Sequence, residues 1–593
     1  MSPSETYTQR LNFWRQQHVR AARRFRQLGN ARLWSGIAAV VIAGCSFGAG
    51  WISAWWLLAP LGVFIVLAMI HDRVDRARNC AARGIAYFDH VLARLGNQWI
   101  GRGSAGERFR DPKHVYADDL DLFGRGSLFE LLSTARTATG ENVLARWLLG
   151  PGERDEVVAR QQAVAELRPR VDLREEFALM GEEIRAAVDA RALTEWGEAP
   201  SAEFFRGARI LAAILGAAAV VTFALFLAHV LSLIPFLFVI LAELGFNLAI
   251  RDPERRVTAS ASAPSRELRL LALLLERLER EAFSSTRLTE LKRELESAGR
   301  PASREIIRLQ RMVEQLETAG NMFFRPIAAP LLWVAQYAMA IEAWRRRNGA
   351  RVGRWSAAIG EFEALCSLAS FAYERPAAAF PELIAEGPKF EAAAITHPLI
   401  PPEIAIPNDV EIGGDIRLWI VSGSNMSGKS TLLRAIGLNA VLAWAGAPVT
   451  AGNLRVSRLY IGASLRTVDS VTDHRSRFYA EISRLRDIVE LARAGKPTLF
   501  LLDELLSGTN SHDRRIGAEA VVRGLVERGA VGLVTTHDLA LAQIAETLGG
   551  RAINVHFEDH LEGGEIRFDY RLRQGVVTRS NALELMRAVG LEV

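Results

Sequence analysis

Cysteine is scarce in this chain of 593 residues: Cys45, Cys80 and Cys366 are the whole supply, and their spacing suits neither a zinc site nor a disulfide framework. That excludes a cysteine-stapled secreted domain and is in keeping with a reducing compartment. A dominant charge is missing too. The net charge of +5 is mild for so long a chain, and charge alone makes no case for nucleic acid. No internal repeat or low-complexity tract is present, which excludes a solenoid. A cleaved secretory leader is not expected, because the first apolar run begins late and is too long for a cleaved h-region. The most informative lack is local: no charged residue lies between Leu33 and Ile70, and Glu243 is the single one between Ile210 and Ile250.

A helix over Leu33–Ile70 would be about 57 Å long at 1.5 Å per residue, against roughly 30 Å of hydrocarbon core in a bilayer. The run must fold back, and Gly48-Ala49-Gly50 is the place for it. The second run turns near His229 to Pro235. Two helical hairpins result, with spans at about 33–49 and 52–70, then 210–228 and 232–250. Arginines flank both: Arg20, Arg23, Arg24, Arg26 and Arg32 before the first and Arg73, Arg76, Arg78 and Arg83 after it, then Arg206 and Arg209, and Arg251, Arg255 and Arg256. The positive-inside rule places these flanks in the cytoplasm and predicts a multi-pass protein of the inner or plasma membrane with its catalytic parts inside the cell. Gly44 and Gly48 form a small-xxx-small pair that suits close helix packing or coincidence equally. Glu243 reads as a carboxylate near the cytoplasmic end of its span, reaching the interface.

Between and beyond the hairpins the pattern is helical. Leu120 to Arg191 is amphipathic, and Ser265 to Leu316 is Leu-rich with Glu and Arg at i, i+4 spacings, broken once at Gly299-Arg300-Pro301. A further helix is expected over Pro330 to Arg347. Its basic Trp344-Arg345-Arg346-Arg347 reads as a solvated helix end in preference to a phosphate or lipid contact. Prolines 398, 401, 402 and 407 then mark a boundary. Three parts are expected: a membrane hairpin region over 1–117, a helical core over 118–390 interrupted by the second hairpin, and an α/β domain over 391–593.

That last part carries the chemistry. Gly423-Ser424-Asn425-Met426-Ser427-Gly428-Lys429-Ser430-Thr431 fits G-x-x-x-x-G-K-[ST] between an apolar strand-like run (Leu418 to Val421) and a helix-like run (Thr431 to Trp444). In such a P-loop, backbone N–H groups close around phosphates at a helix N-terminus, Lys429 reaches the β- and γ-phosphate oxygens, and the Ser430 hydroxyl ligates magnesium. Leu499-Phe500-Leu501-Leu502-Asp503-Glu504 reads as a buried strand ending in two acids, Asp503 for the magnesium shell and Glu504 to orient or deprotonate the attacking water. The strand Val531 to Val534 leads into Thr535-Thr536-His537-Asp538, where His537 can sense the γ-phosphate. The expected cofactors are ATP and Mg2+, and the expected activity is ATP hydrolysis.

These marks look like the ABC superfamily, and within it the chain resembles the MutS family of DNA mismatch-repair ATPases. The resemblance rests on Asn425-Met426 inside the glycine loop, Gly508-Thr509 with Asp513, Thr536-His537, and Arg475-Ser476-Arg477-Phe478-Tyr479-Ala480-Glu481, in which Arg477 replaces the family's threonine. The transporter signature Leu-Ser-Gly-Gly is absent, which with the few spans puts an ABC transporter last. Upstream, Leu128-Phe129-Glu130-Leu131-Leu132, Arg146-Trp147-Leu148-Leu149-Gly150-Pro151 and Arg160-Gln161-Gln162-Ala163-Val164 are similar to the start of the MutS core. His397-Pro398-Leu399, Pro407-Asn408-Asp409, Tyr570-Arg571-Leu572 and the run from Gly575 to Glu584 are similar to the two ends of the ATPase.

The resemblance implies a homodimer with composite ATP sites, in which Ser476 reaches the partner's nucleotide and DNA is a partner. It also implies what is missing: the stretch before Asp118 leaves no room for a mismatch-recognition domain, the helical arms are short, no nuclease domain follows Val593, and no adenine-stacking aromatic stands near Pro402 to Asn408. The leading expectation is a membrane-anchored MutS-like ATPase acting as an ATP-driven clamp on DNA. The alternative is a membrane-bound mechanical switch with a protein or lipid client and no DNA.

Overall fold

The computed structural model describes residues 2–577 except 49, 181–189, 262–264, 298, 323, 425, 466–476, 507–508, 538–541 and 563–564. The chain divides into two compact units, Met1–Ala105 with Val171–Glu182, and Gly106–Arg170 with Glu183–Val593.

The first unit is a long helical hairpin, Pro3–Ala43 against Leu58–Leu95. Ser2 starts it with a capping box: its hydroxyl accepts from the Glu5 N–H at 3.2 Å while the Glu5 carboxylate accepts from the Ser2 N–H at 2.8 Å. The helices run antiparallel, with Tyr7 against Phe88 at one end and the Ser35 hydroxyl on the Pro60 carbonyl at the other. The two ends differ in what they bury. Near the termini Tyr7, Leu11, Phe88 and Val91 form a core, and Gly84 is required because a Cβ there would sit 2.4 Å from the Trp14 ring. Toward the turn, apolar side chains such as Val40 and Trp55 stay exposed.

In the second unit the helices Ala208–Leu227 and Ile234–Ala261 form another hairpin. Its base packs Ala208, Ala212, Phe246 and Ile250 on Leu332, Ala335 and Met339, while Ile214, Val221, Phe238 and Leu241 remain exposed. By length and composition, four helices among the described residues are apolar enough to cross a membrane.

Trp333–Glu374, 42 residues long, is the spine of the helical part. The helix expected to end at Arg347 therefore continues for seven more turns or so, and the basic cluster is no helix end. Trp344 and Arg345 are buried, and Arg345 forms an ion pair with Glu342 at 2.8 Å. Near the other end Glu363 is fully buried and accepts from the Arg136 and Thr137 backbone N–H groups at 3.1 and 3.3 Å. Burial raises its pKa, and these bonds work against that. The Leu-rich stretch is broken twice, not once: helices Ser265–Glu279, Thr286–Leu295 and Ala302–Thr318 are separated first at Phe283-Ser284-Ser285 and then by a small β-hairpin at 296–301. The first break is held by Glu166, whose carboxylate accepts from the Ser284 and Ser285 N–H groups.

The C-terminal part is α/β. A six-stranded sheet runs in the order 565–574, 552–562, 418–422, 531–536, 498–502, 460–464, all parallel except the first strand, and a four-stranded sheet (382–383, 453–456, 389–395, 408–413) draws three strands from before 418–422 and one, 453–456, from after it. Strands 418–422, 498–502 and 531–536 are buried at every position, as a parallel sheet covered on both faces requires.

Candidate nucleotide site

Three neighbouring strands end at one place. Leu418–Ser422 runs into the glycine loop and the helix Lys429–Ala445, Thr498–Leu502 into Asp503-Glu504, and Val531–Thr536 into His537. Because the strands are parallel and adjacent, their carboxyl ends bring these segments together, where ligands bind in open α/β sheets.

The loop between strand and helix is conformationally demanding. Gly423 and Gly428 have φ of +149° and +103°, and a Cβ on Gly423 would lie 2.8 Å from the Ser427 hydroxyl. Met426 takes φ of +68° and is exposed. Lys429 is buried; its ammonium donates to the Gly423 and Ser424 carbonyls at 2.9 and 2.8 Å. Burial lowers its pKa, against the pull of Glu504 and Asp503. The Ser424 and Ser427 hydroxyls are buried with no hydrogen-bond partner among the described residues, and the first helical N–H groups after Gly428 have no intrahelical acceptor. Unused donors around a cationic side chain fit a polyphosphate.

Opposite stand the acids. The Glu504 carboxylate is 2.6 Å from His537 Nε2, which in turn is 3.4 Å from Lys429 Nζ. Since the carboxylate can only accept, Nε2 carries the proton in this arrangement. Asp503 is held from behind by Thr535, which is buried: its hydroxyl donates to the Asp503 carboxylate and accepts from the Glu504 N–H at 3.0 Å. Glu504 itself takes φ of +48°, an unfavourable backbone for a non-glycine residue.

A cavity of about 440 Å³ opens here, lined by Met426, Gly428, Lys429, Ser430, Thr431 and Glu504 on one side and by His397, Ile400, Ile404, Phe557 and Tyr570 on others. Of the residues expected at the site, Gly423 and Ser427 form the loop's inner turn, Asp503 sits beside Lys429, and His537 joins through Glu504. Asn425, Ser476 and Gly508 lie outside the described residues.

Sequence reasoning missed three features. An aromatic ring reaches the loop from far along the chain: that of Tyr570 lines the cavity and would stand 3.1 Å from a Cβ on Gly428. Asn408 ties it in place, donating to the Tyr570 carbonyl at 3.0 Å and accepting from the Leu572 N–H at 2.7 Å. His397 is a neutral wall residue, pushed down to about 4 by burial and by nearby Arg434. Glu481, from the segment compared above with the family's signature, accepts from the Leu506 N–H at 2.5 Å and so braces the turn after Glu504.

Residues 419–592 match the family described as MutS domain V. The chain is 33% identical over 207 residues to the endonuclease MutS2 of Thermomicrobium roseum, covering 33% of this chain and 25% of that protein. It is 32% identical over 255 residues to the DNA mismatch repair protein MutS 2 of Halobacterium salinarum (42% and 29%), and 31% identical over 237 residues to the DNA mismatch repair protein MSH3 of Phaeosphaeria nodorum (39% and 21%). The matches thus span less than a third of each of these curated relatives. Residues 419–592 are thus similar to MutS domain V, and it is in this C-terminal part that the chain resembles the MutS family.

Proposed function

We propose that the protein is a membrane-anchored ATPase of the MutS type, built in the three parts 1–117, 118–390 and 391–593, whose nucleotide site drives a dimeric clamp on DNA. The observation that carries it is the convergence of Lys429, Asp503, Glu504 and His537 at the carboxyl ends of three adjacent parallel strands.

In this reading the loop from Gly423 to Thr431 cradles the phosphates of ATP, with Lys429 exchanging its two loop carbonyls for phosphate oxygens. Ser430 and Asp503 would hold magnesium, which would supply charge neutralisation on the phosphates. Glu504 orients the attacking water and accepts its proton as the γ-phosphoryl group passes from ADP oxygen to water oxygen, giving ADP and inorganic phosphate. His537 holds the Glu504 carboxylate in place, and Tyr570 offers a ring to the base. Ser476 and the turn from Gly508 to Asp513 complete the partner's site, so that closure of the dimer precedes hydrolysis and hydrolysis reopens the helical arms.

The membrane reading is supported by four apolar helices whose outward side chains are exposed, with arginines on both sides of each hairpin. Both chain ends and the ATPase part are placed in the cytoplasm. The same exposed hairpins favour a second reading, in which the ATPase works on a membrane or protein client without DNA. Phosphate release by the full chain in detergent, with and without duplex DNA, separates the two. Stimulation by DNA supports the clamp, and turnover indifferent to DNA supports the second reading.

A further inference from the structure

Beside the first turn of the helix Ala208–Leu227 lies a cavity of about 500 Å³ walled by Arg209, Arg300, Arg308, Arg347, Arg351 and a single acid, Glu305. The arginines come from separate elements: the start of the second hairpin, the turn at 296–301, the helix Ala302–Thr318 and the spine helix. Solvated arginines on one helix face need no explanation. Arginines converging from four elements on a concave space do: although Arg209, Arg300, Arg308 and Arg347 are exposed and solvent screens part of their repulsion, an anion held between them would relieve the rest.

Glu305 is not that anion. It is buried, and its carboxylate is committed to the cavity floor: it accepts from Trp344 Nε1 at 3.2 Å and Asn348 Nδ2 at 3.3 Å, and from the Arg300 guanidinium at 3.4 Å. Five guanidinium groups against this one carboxylate leave four positive charges in excess. Arg209, Arg308 and Arg347 have no hydrogen-bond or ion-pair partner among the described residues. Their donors form an unused fork geometry suited to phosphate oxygens.

The position selects the ligand. Arg209 is the second residue of an apolar helix, and the spine changes character at the same level. Leu332, Ala335 and Met339 pack on the hairpin, whereas Trp344, Arg347 and Arg351 face the cavity. The chain before the spine exposes Met322 and Ile327. A ring of arginines where apolar surface gives way to charge stands at headgroup depth in a membrane. A concave space of this size suits one headgroup, and a duplex would need a track of successive phosphate contacts instead.

We infer that this cavity binds the phosphoryl group of an anionic membrane lipid. The inference rests on the membrane reading of the second hairpin. The test uses the full chain in neutral detergent, titrated with short-chain phosphatidylglycerol, short-chain phosphatidylcholine, inorganic phosphate and a DNA duplex. Three proteins are compared: wild type, Arg308→Ala/Arg347→Ala, and the charge-matched control Arg304→Ala/Arg311→Ala, whose exposed side chains lie on the same helix outside the cavity. Expected is about tenfold tighter binding of phosphatidylglycerol than of phosphatidylcholine, lost in the cavity variant and kept in the control. A conservative Arg308→Lys/Arg347→Lys variant should recover part of it.

Equal binding of the two lipids, or equal loss in both double variants, overturns the inference. So does inorganic phosphate binding as tightly as the lipid, which would make free phosphate the ligand, or DNA binding lost in place of lipid binding. Alkaline extraction of wild-type membranes keeps the two levels apart. Release of the protein defeats the membrane reading itself, and retention without lipid preference defeats the cavity assignment alone.

Discussion

Thr535→Val is the most discriminating perturbation of the nucleotide site because it removes one hydroxyl and almost no volume. That hydroxyl is buried, donates to Asp503 and accepts from the Glu504 N–H, so it fixes the two acids relative to each other. Valine leaves the Glu504 N–H without its acceptor, a loss of about 1–3 kcal/mol of stability. It also frees the Asp503 carboxylate to rotate. If Asp503 holds magnesium, losing such an outer partner should raise the half-saturating magnesium concentration by about tenfold or more. Release of the strained Glu504 backbone should lower turnover by about 10- to 100-fold, equivalent to about 1.4–2.7 kcal/mol in the barrier. Phosphate release measured across a magnesium titration reads both effects, and Thr535→Ser should restore both. Unchanged magnesium dependence with turnover within about twofold of wild type would refute the reasoning, as would a serine variant as impaired as the valine one.

Glu504→Gln should still bind ATP while turnover falls by about 100- to 10,000-fold, whereas Lys429→Ala should lose nucleotide binding itself; equilibrium binding beside steady-state turnover distinguishes them, and near-normal turnover in Glu504→Gln would sink its role. Mixing Lys429→Ala with Ser476→Arg subunits should recover part of the activity through one intact composite site, and full activity from a demonstrated monomer would rule that arrangement out. His397 is held near 4 in the fold against an ordinary 6.5, so between these values the unfolded chain binds a proton that the folded one does not. Stability therefore falls as pH drops from 6.5 toward 4, by up to about 3 kcal/mol from this group; thermal unfolding of His397→Gln across that range should show a shallower decline, and an identical slope would remove His397 as its source.

What could be read in the sequence was whatever depends on neighbours along the chain. The glycine loop declares itself because strand, loop and helix are contiguous, and Asp503-Glu504 because a run of apolar residues ends in acids. Tyr570 could not be read that way. It reaches the loop only because its strand pairs with 552–562, which pairs with 418–422, and no local pattern encodes that order. Thr535 was visible as a residue but not as a brace, since its partners are some thirty positions away. The misreading of Trp344 to Arg347 has the same origin. Three arginines in a row look like a helix end in water, but buried Glu342 pairs with Arg345 and Arg346 inside a helix that runs on to Glu374. The break at Phe283-Ser284-Ser285 did carry a local signal, a serine before a helical run, although the groups that hold it come from Glu166.

The spine helix converts angle into distance. At 1.5 Å per residue, the stretch from the hairpin contacts at Leu332 to the buried junction where Glu363 grips the backbone at Arg136 and Thr137 extends about 47 Å. A tilt of about 5° at the gripped end would carry the other end through about 4 Å. A rotation too small to break the packing around Glu363 would thus arrive at the apolar hairpin as a step the size of a side chain.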